Sequence, residues 1–181
     1  MLNRVLLFFI LFISFFSFSD NYIVNEEESV RFGLNTFLNF NRDNVSLEFF
    51  NSDDFLPKQI SVSNNSVGLE GYVGFPLAYD MFLNLGPKLE FSGNNFVIYS
   101  LFAQLIREFD INAKVTPYVN VGLDVGLNKS NFNTVLGAGL VIPTNDNVKF
   151  NVALNYHYRS WYNLLNNVSD SGFGVTVGLI F

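Results

Sequence analysis

Gly172-Phe-Gly-Val-Thr-Val-Gly-Leu-Ile-Phe181 ends the chain in a strict alternation of two kinds of residue. Phe173, Val175, Val177, Leu179 and Phe181 share one face of an extended segment; Gly172, Gly174, Thr176, Gly178 and Ile180 share the other. A period of two belongs to a β-strand whose faces meet different surroundings. One face is uniformly bulky and apolar, while the other is mostly small or polar. The segment reads as one strand of a sheet with an oily side and a crowded, partly polar side.

The same alternation recurs upstream. Residues 30–40 set Phe32, Leu34 and Leu38 against Arg31, Gly33 and Asn35, and residues 67–77 set Leu69, Val73 and Phe75 against Glu70, Tyr72 and Gly74. Residues 81–91, 96–109, 115–127, 135–142 and 148–162 repeat the pattern, which predicts eight strands and an all-β chain. Turn chemistry separates them at 78–80, 92–95, 110–114 and 145–147. Two longer loops are expected at 41–66 and 162–171, with a strand extension over Val45 to Phe49 as the alternative within the first. A ten-residue strand tilted by roughly 40° spans about 25 Å, the height of a membrane's apolar band.

Composition narrows the classes further. The chain has 181 residues, 49% of them hydrophobic and 14% charged, enough for one domain and too apolar for disorder. No cysteine is present, which excludes disulfides, thiolate zinc sites, a cysteine nucleophile and a lipoprotein anchor. The net charge of -6 on an aromatic-rich chain argues against nucleic acid as a partner. Met1 to Arg4 gives a short positive flank, Val5 to Phe18 an apolar run, and Ser17-Phe18-Ser19 small residues at a cleavage site. That run is shorter than the ~20 residues a helical span needs, so residues 1–19 read as a signal peptide. Residues 20–29 form a polar lead-in, with Glu26, Glu27 and Glu28 solvated, and residues 30–181 the barrel.

Alternation alone also suits a soluble barrel or sandwich. Three features favour a membrane. The oily face is almost free of charge in all eight strands, Arg107 being the main exception, near a strand end where it can snorkel. Aromatics on that face gather near strand ends, Phe32, Phe75, Phe109, Phe150 and Phe181 in one ring, Phe40, Phe91, Tyr99, Tyr158 and Phe173 in the other. The strand number is even and the chain is exported. The expected fold is an eight-stranded antiparallel up-and-down transmembrane β-barrel.

Thr116-Pro-Tyr-Val119 entering a glycine-alternating strand, Tyr156-His-Tyr-Arg159, and Gly178-Leu-Ile-Phe181 carry a family likeness. Across residues 30–181 the chain resembles the OmpA/OmpX-like, opacity-type outer-membrane barrels. The resemblance implies a bacterial outer-membrane location, outer-membrane lipid as surroundings and a monomeric state. It also implies Phe181 as an assembly signal, with the barrel-assembly machinery and periplasmic chaperones as partners during biogenesis. On this reading a peptidoglycan-binding domain, found in some relatives, is not expected.

The polar face gathers Glu70, Lys88, Glu90, Asp124, His157 and Arg159 toward the end away from the 78–80 turn, with Arg31, Glu108 and Lys149 toward the other. Narrow barrels fill with side chains that must satisfy one another, so this reads as a lumen plug rather than a catalytic cluster. A three-residue turn at 78–80 puts Leu77 opposite Met81. It then pairs Glu70 with Lys88, Gly74 with Asn84, and Tyr72 with Gly86, whose bare backbone the ring would cover. On that register Glu70 is the partner of Lys88, and neutralising both together should restore stability lost on truncating the lysine.

No catalytic residue, metal site or cofactor is expected. The lipid A deacylase family pairs a His with a Ser two residues later on the lipid face; here Arg159 follows His157, and Ser160 falls on the opposite face. A single His without Cys makes a poor transition-metal site. Gly68, Gly71 and Gly74 follow a strand pattern and open no phosphate-binding helix. The expected role is structural, in envelope integrity or surface interaction. An adhesin or host-ligand protein acting through loops 41–66 and 162–171 is the alternative, and a narrow pore the second.

Overall fold

β-Branched and aromatic residues at alternate positions favour extended backbone, and each strand here has an apolar face with nowhere to hide except a lipid or another sheet. In the computed structural model this produces eight antiparallel strands closed in chain order: β1 (Arg31–Leu47), β2 (Lys58–Ala78), β3 (Met81–Ser92), β4 (Phe96–Glu108), β5 (Thr116–Gly126), β6 (Asn131–Pro143), β7 (Lys149–Tyr162) and β8 (Asn167–Ile180). The structure describes residues 30–47, 58–78, 80–92, 96–111, 114–128, 131–144, 147–162 and 167–181. The expected signal peptide and lead-in lie outside them.

β8 returns to β1, with Phe40 opposite Phe173 and Leu34 opposite Leu179, so no edge is left through the apolar band. Closure fixes the dimensions. From Phe32 the register leads to Val73, Leu85, Ala103, Leu123, Thr134, Tyr158 and Ser171, and back to β1 at Arg42, ten residues along. Eight strands with that stagger tilt by about 40° and enclose a backbone radius of about 8 Å. Side chains reaching in from opposite walls meet at such an axis. The lumen has to be packed.

The distribution of residues is inverted relative to a soluble protein. Along β1 the outward Phe32 is 57% exposed, while the inward Asn35 is 5% exposed. Leu69, Leu101, Leu154 and Leu179 are likewise exposed on the outer wall, and Asn84, Glu90, Asn120 and Asp124 are buried inside. Phe32 and Phe40 lie eight residues apart on β1, about 20 Å along the barrel axis, and mark the two rims of the apolar wall.

Several elements depart from the sequence expectation. Residues 41–47 and 58–66 are paired strand, from Asn41↔Asn64 up to Leu47↔Lys58, where a long loop was expected. β8 begins at Asn167 and β6 at Asn131, so 167–171 and 131–134 are strand as well. The apolar–polar alternation of the sequence fades over these residues while the backbone ladder continues. The turn after β2 is also tighter than expected: Ala78 pairs with Met81, and Asp80 takes a left-handed φ of 61°. A bulge between Pro76 and Ala78 absorbs the difference, beside a proline that has no N–H to give the ladder. Leu77 is therefore not opposite Met81. Beyond the bulge Glu70 pairs with Lys88 and Gly74 with Asn84. The same register brings Gly86 beside the Tyr72 backbone, as expected, but the Tyr72 ring lies over Gly33, its partner on β1, and leaves no space there for a Cβ.

Candidate functional site

The lumen is built in three levels, each made by inward positions of several strands. At the end bearing the β2–β3 turn lies an apolar floor of Ile106, Tyr118, Val141, Ala153 and Ile180, all buried and packed together. Arg31 ion-pairs with Glu108 there, and its guanidinium lies 3.7 Å from the centre of the Phe82 ring. Lys149 is exposed at this rim.

Above the floor is a layer of amides. Asn151 donates to Asn35 Oδ1 at 3.1 Å, and Asn35 donates to Glu70 Oε2 at 3.4 Å. Asn120 donates to Asn155 Oδ1 at 3.2 Å, and Asn155 to Thr176 Oγ1 at 2.9 Å. The layer fits because the neighbouring strands carry glycine. Asn35 lies against Gly178, and Asn39 against Gly174, at positions where a Cβ would collide with the amide. Large polar side chains therefore lie flat over bare backbone.

The third level is ionic. Lys88 Nζ lies 2.8 Å from Asp124 Oδ2 and 3.4 Å from Glu70 Oε1, and 4.5 Å from the centre of the Phe37 ring. Asn133 donates to the same Asp124 oxygen at 2.8 Å. Arg159 Nη2 lies 2.6 Å from Glu90 Oε2, and Nη1 3.7 Å from Asp170 Oδ2. His157 Nε2 donates to Asn41 Oδ1 at 2.5 Å. Charges this far from water hold one another in place, since stranding any one of them is expensive.

The six lumen residues singled out from the sequence, Glu70, Lys88, Glu90, Asp124, His157 and Arg159, all point inward. They form two ion-paired groups, with His157 hydrogen-bonded outside both. Asp170 and Asn41 belong to the same level, and sequence reasoning placed both in loops. Carrying the alternation one step back from Gly172 would have found Asp170. The amide layer was missed altogether, although asparagine recurs at inward positions of β1, β3, β5, β6 and β7. Among the described residues no three of His, Cys, Asp and Glu are grouped to hold a metal ion.

Around this interior the wall is apolar, with Tyr156 and Phe173 edge-to-face at 5.3 Å near one rim. Arg107 lies on β4 near the other rim, 5.5 Å from the Phe109 ring centre, placed for its charged head to reach the interface. A closed sheet with an oily exterior and a charged interior defines a transmembrane β-barrel. Among solved structures, the chain is similar to Neisserial surface protein A (16% identity, 83% of this chain and 99% of that one, TM-score 0.46). It is also similar to the outer membrane protein OprG from Pseudomonas aeruginosa (11%, 87% and 98%, TM-score 0.47), and to a de novo designed transmembrane β-barrel (13%, 87% and 98%, TM-score 0.46). No protein-family model and no curated protein matches the chain. The transmembrane assignment rests on the chain's own closed sheet and inverted burial.

Proposed function

We propose that this chain is a small monomeric barrel of a bacterial outer membrane, of the OmpA/OmpX-like, opacity-type kind. Its role is structural: a closed plug of protein that supports the envelope and catalyses nothing. The packed lumen carries this reading. An apolar floor, an amide layer and two ion-paired groups leave an interior cavity of about 40 Å³, far below the several hundred a substrate pocket needs. β1 begins and β8 ends at the floor, and the longest connection, between β1 and β2, lies at the opposite end, so the floor is assigned to the periplasmic side; assembly would use Phe181 as the signal to the barrel machinery.

One observation favours a surface-interaction role as the second reading. β2 pairs with β3 only from Ser66 onward, while its pairing with β1 continues up to Lys58. The β1–β2 hairpin thus rises above β3, on the side facing away from the floor, while β8 follows β1 up to Val45. A deletion strain tested for sensitivity to detergents and large antibiotics separates the two roles. Complementation by a chain whose hairpin is shortened to join residues 45 and 60 supports the structural role. A strain that resists these agents as the parent does, yet loses attachment to a surface or ligand, supports the other. Unchanged resistance and attachment after deletion would overturn both.

A further inference from the structure

The interior charge does not balance. Apart from Lys149, exposed at the floor rim, the inward ionic groups among the described residues are Glu70, Glu90, Glu108, Asp124 and Asp170 against Arg31, Lys88 and Arg159. Arg31 and Glu108 cancel. Each of the two remaining cations is shared by two carboxylates: Lys88 by Asp124 and Glu70, Arg159 by Glu90 and Asp170. Glu70 is the more loosely held of the Lys88 pair, with contacts of 3.4 Å to Lys88 and 3.4 Å to Asn35. An uncompensated carboxylate in a dry lumen attracts either a proton or a cation.

Beside Glu70 lies the cavity of about 40 Å³, and its lining supplies oxygen atoms without a donor among the described residues. Asn84 is 0% exposed, and among the described residues neither its Oδ1 nor its Nδ2 has a hydrogen-bond partner. Asn120 Oδ1 and Asn151 Oδ1, also buried and also on the cavity wall, have none. Their own amide nitrogens are used, by Asn155 and Asn35, which leaves the carbonyl oxygens as the free ends. A cavity of that size has room for roughly three water-sized particles.

We infer that the amide layer holds one small monovalent cation, bound by the carbonyl oxygens of Asn84, Asn120 and Asn151 and balanced by Glu70. Oxygen-only ligands select a hard cation, and the absence of an imidazole or thiolate there disfavours a transition metal. A divalent ion would seek several carboxylates; here one is left over, because Asp124 is taken by Lys88 and Asn133. The apolar floor below makes the site a dead end and not a station on a conducting path.

The test uses the folded barrel in detergent micelles, equilibrated at fixed pH and ionic strength in sodium chloride or in N-methyl-D-glucamine chloride, whose cation is too large for the cavity. Sodium should raise the melting temperature saturably. Going from no sodium to ten times the dissociation constant should add about 3–6 °C. Asn84→Leu is close in size and breaks no hydrogen bond seen among the described residues; it should fold and lose most of that increment. Glu70→Gln should lose it as well. Equal melting temperatures in the two salts would overturn the proposal. So would a sodium increment that Asn84→Leu retains, or a melting temperature that follows pH and ignores the cation, since a proton would then be the compensating charge.

Discussion

Replacing Lys88 by alanine is the sharpest perturbation of the interior. An opposite-charge cross-strand pair open to water contributes about 0.2–1 kcal/mol. The Lys88 side chain, however, is 5% exposed, and its partners Asp124 and Glu70 are 8% and 14% exposed. Truncation therefore leaves two carboxylates buried with no cation between them, which places the cost in the range of about 3–5 kcal/mol. The structure also changes the rescue. Asp124, at 2.8 Å, is the nearer partner, and Glu70, at 3.4 Å, the farther. Lys88→Met with Glu70→Gln should recover only part of the loss, because Asp124 then keeps Asn133 as its donor and no counter-charge. Adding Asp124→Asn should bring stability back to within about 1 kcal/mol of the parent, as a neutral, volume-matched interior replaces the ionic one. Urea unfolding from lipid vesicles, followed by the fluorescence of the single tryptophan, Trp161, gives these free energies. An Lys88→Ala variant within 1 kcal/mol of the parent would refute the buried-network reasoning.

Two further changes address packing and assembly. Gly33→Ala puts a methyl group into the Tyr72 ring, and overpacking of this kind should cost about 1–3 kcal/mol in the same unfolding assay; pairing it with Tyr72→Ala should remove the clash. Phe181→Asp and Ile180→Ala should separate two kinds of defect. Phe181 is exposed on the outer wall and hydrogen-bonded through its backbone to Phe32, so its variant should refold in vitro but yield little heat-modifiable barrel in cells. Ile180 sits in the apolar floor, so its variant should assemble in cells and lose about 2–5 kcal/mol of stability. Equal yields of folded barrel in cells would count against Phe181 as the assembly signal.

The apolar wall was legible from sequence because lipid enforces alternation at every outward position. Leu34, Leu69, Leu101 and Leu154 all declare their face directly. Residues 41–47 and 58–66 lack that alternation, and they read as loop although their backbones pair. The interior was legible in kind but not in partnership. Glu70 opposite Lys88 follows from one hairpin register, whereas Lys88 with Asp124 joins β3 to β5, two strands apart, and depends on the stagger of the whole barrel. The amide layer stayed hidden for a similar reason. Asn35 and Asn151 meet across 116 residues of sequence, and asparagine by itself signals a turn more readily than a core. The bulge beside Pro76 shows a local effect that counting from a turn cannot anticipate, even though it left the register at Glu70 untouched.

Planar-bilayer recording of the purified, refolded barrel tests the closed lumen most directly. With the floor of Ile106, Tyr118, Val141, Ala153 and Ile180 below and the paired charges above, the membrane should stay silent at moderate voltage and physiological salt. Stable unitary currents that scale with the amount of folded protein, and vanish when it is heat-unfolded, would contradict it.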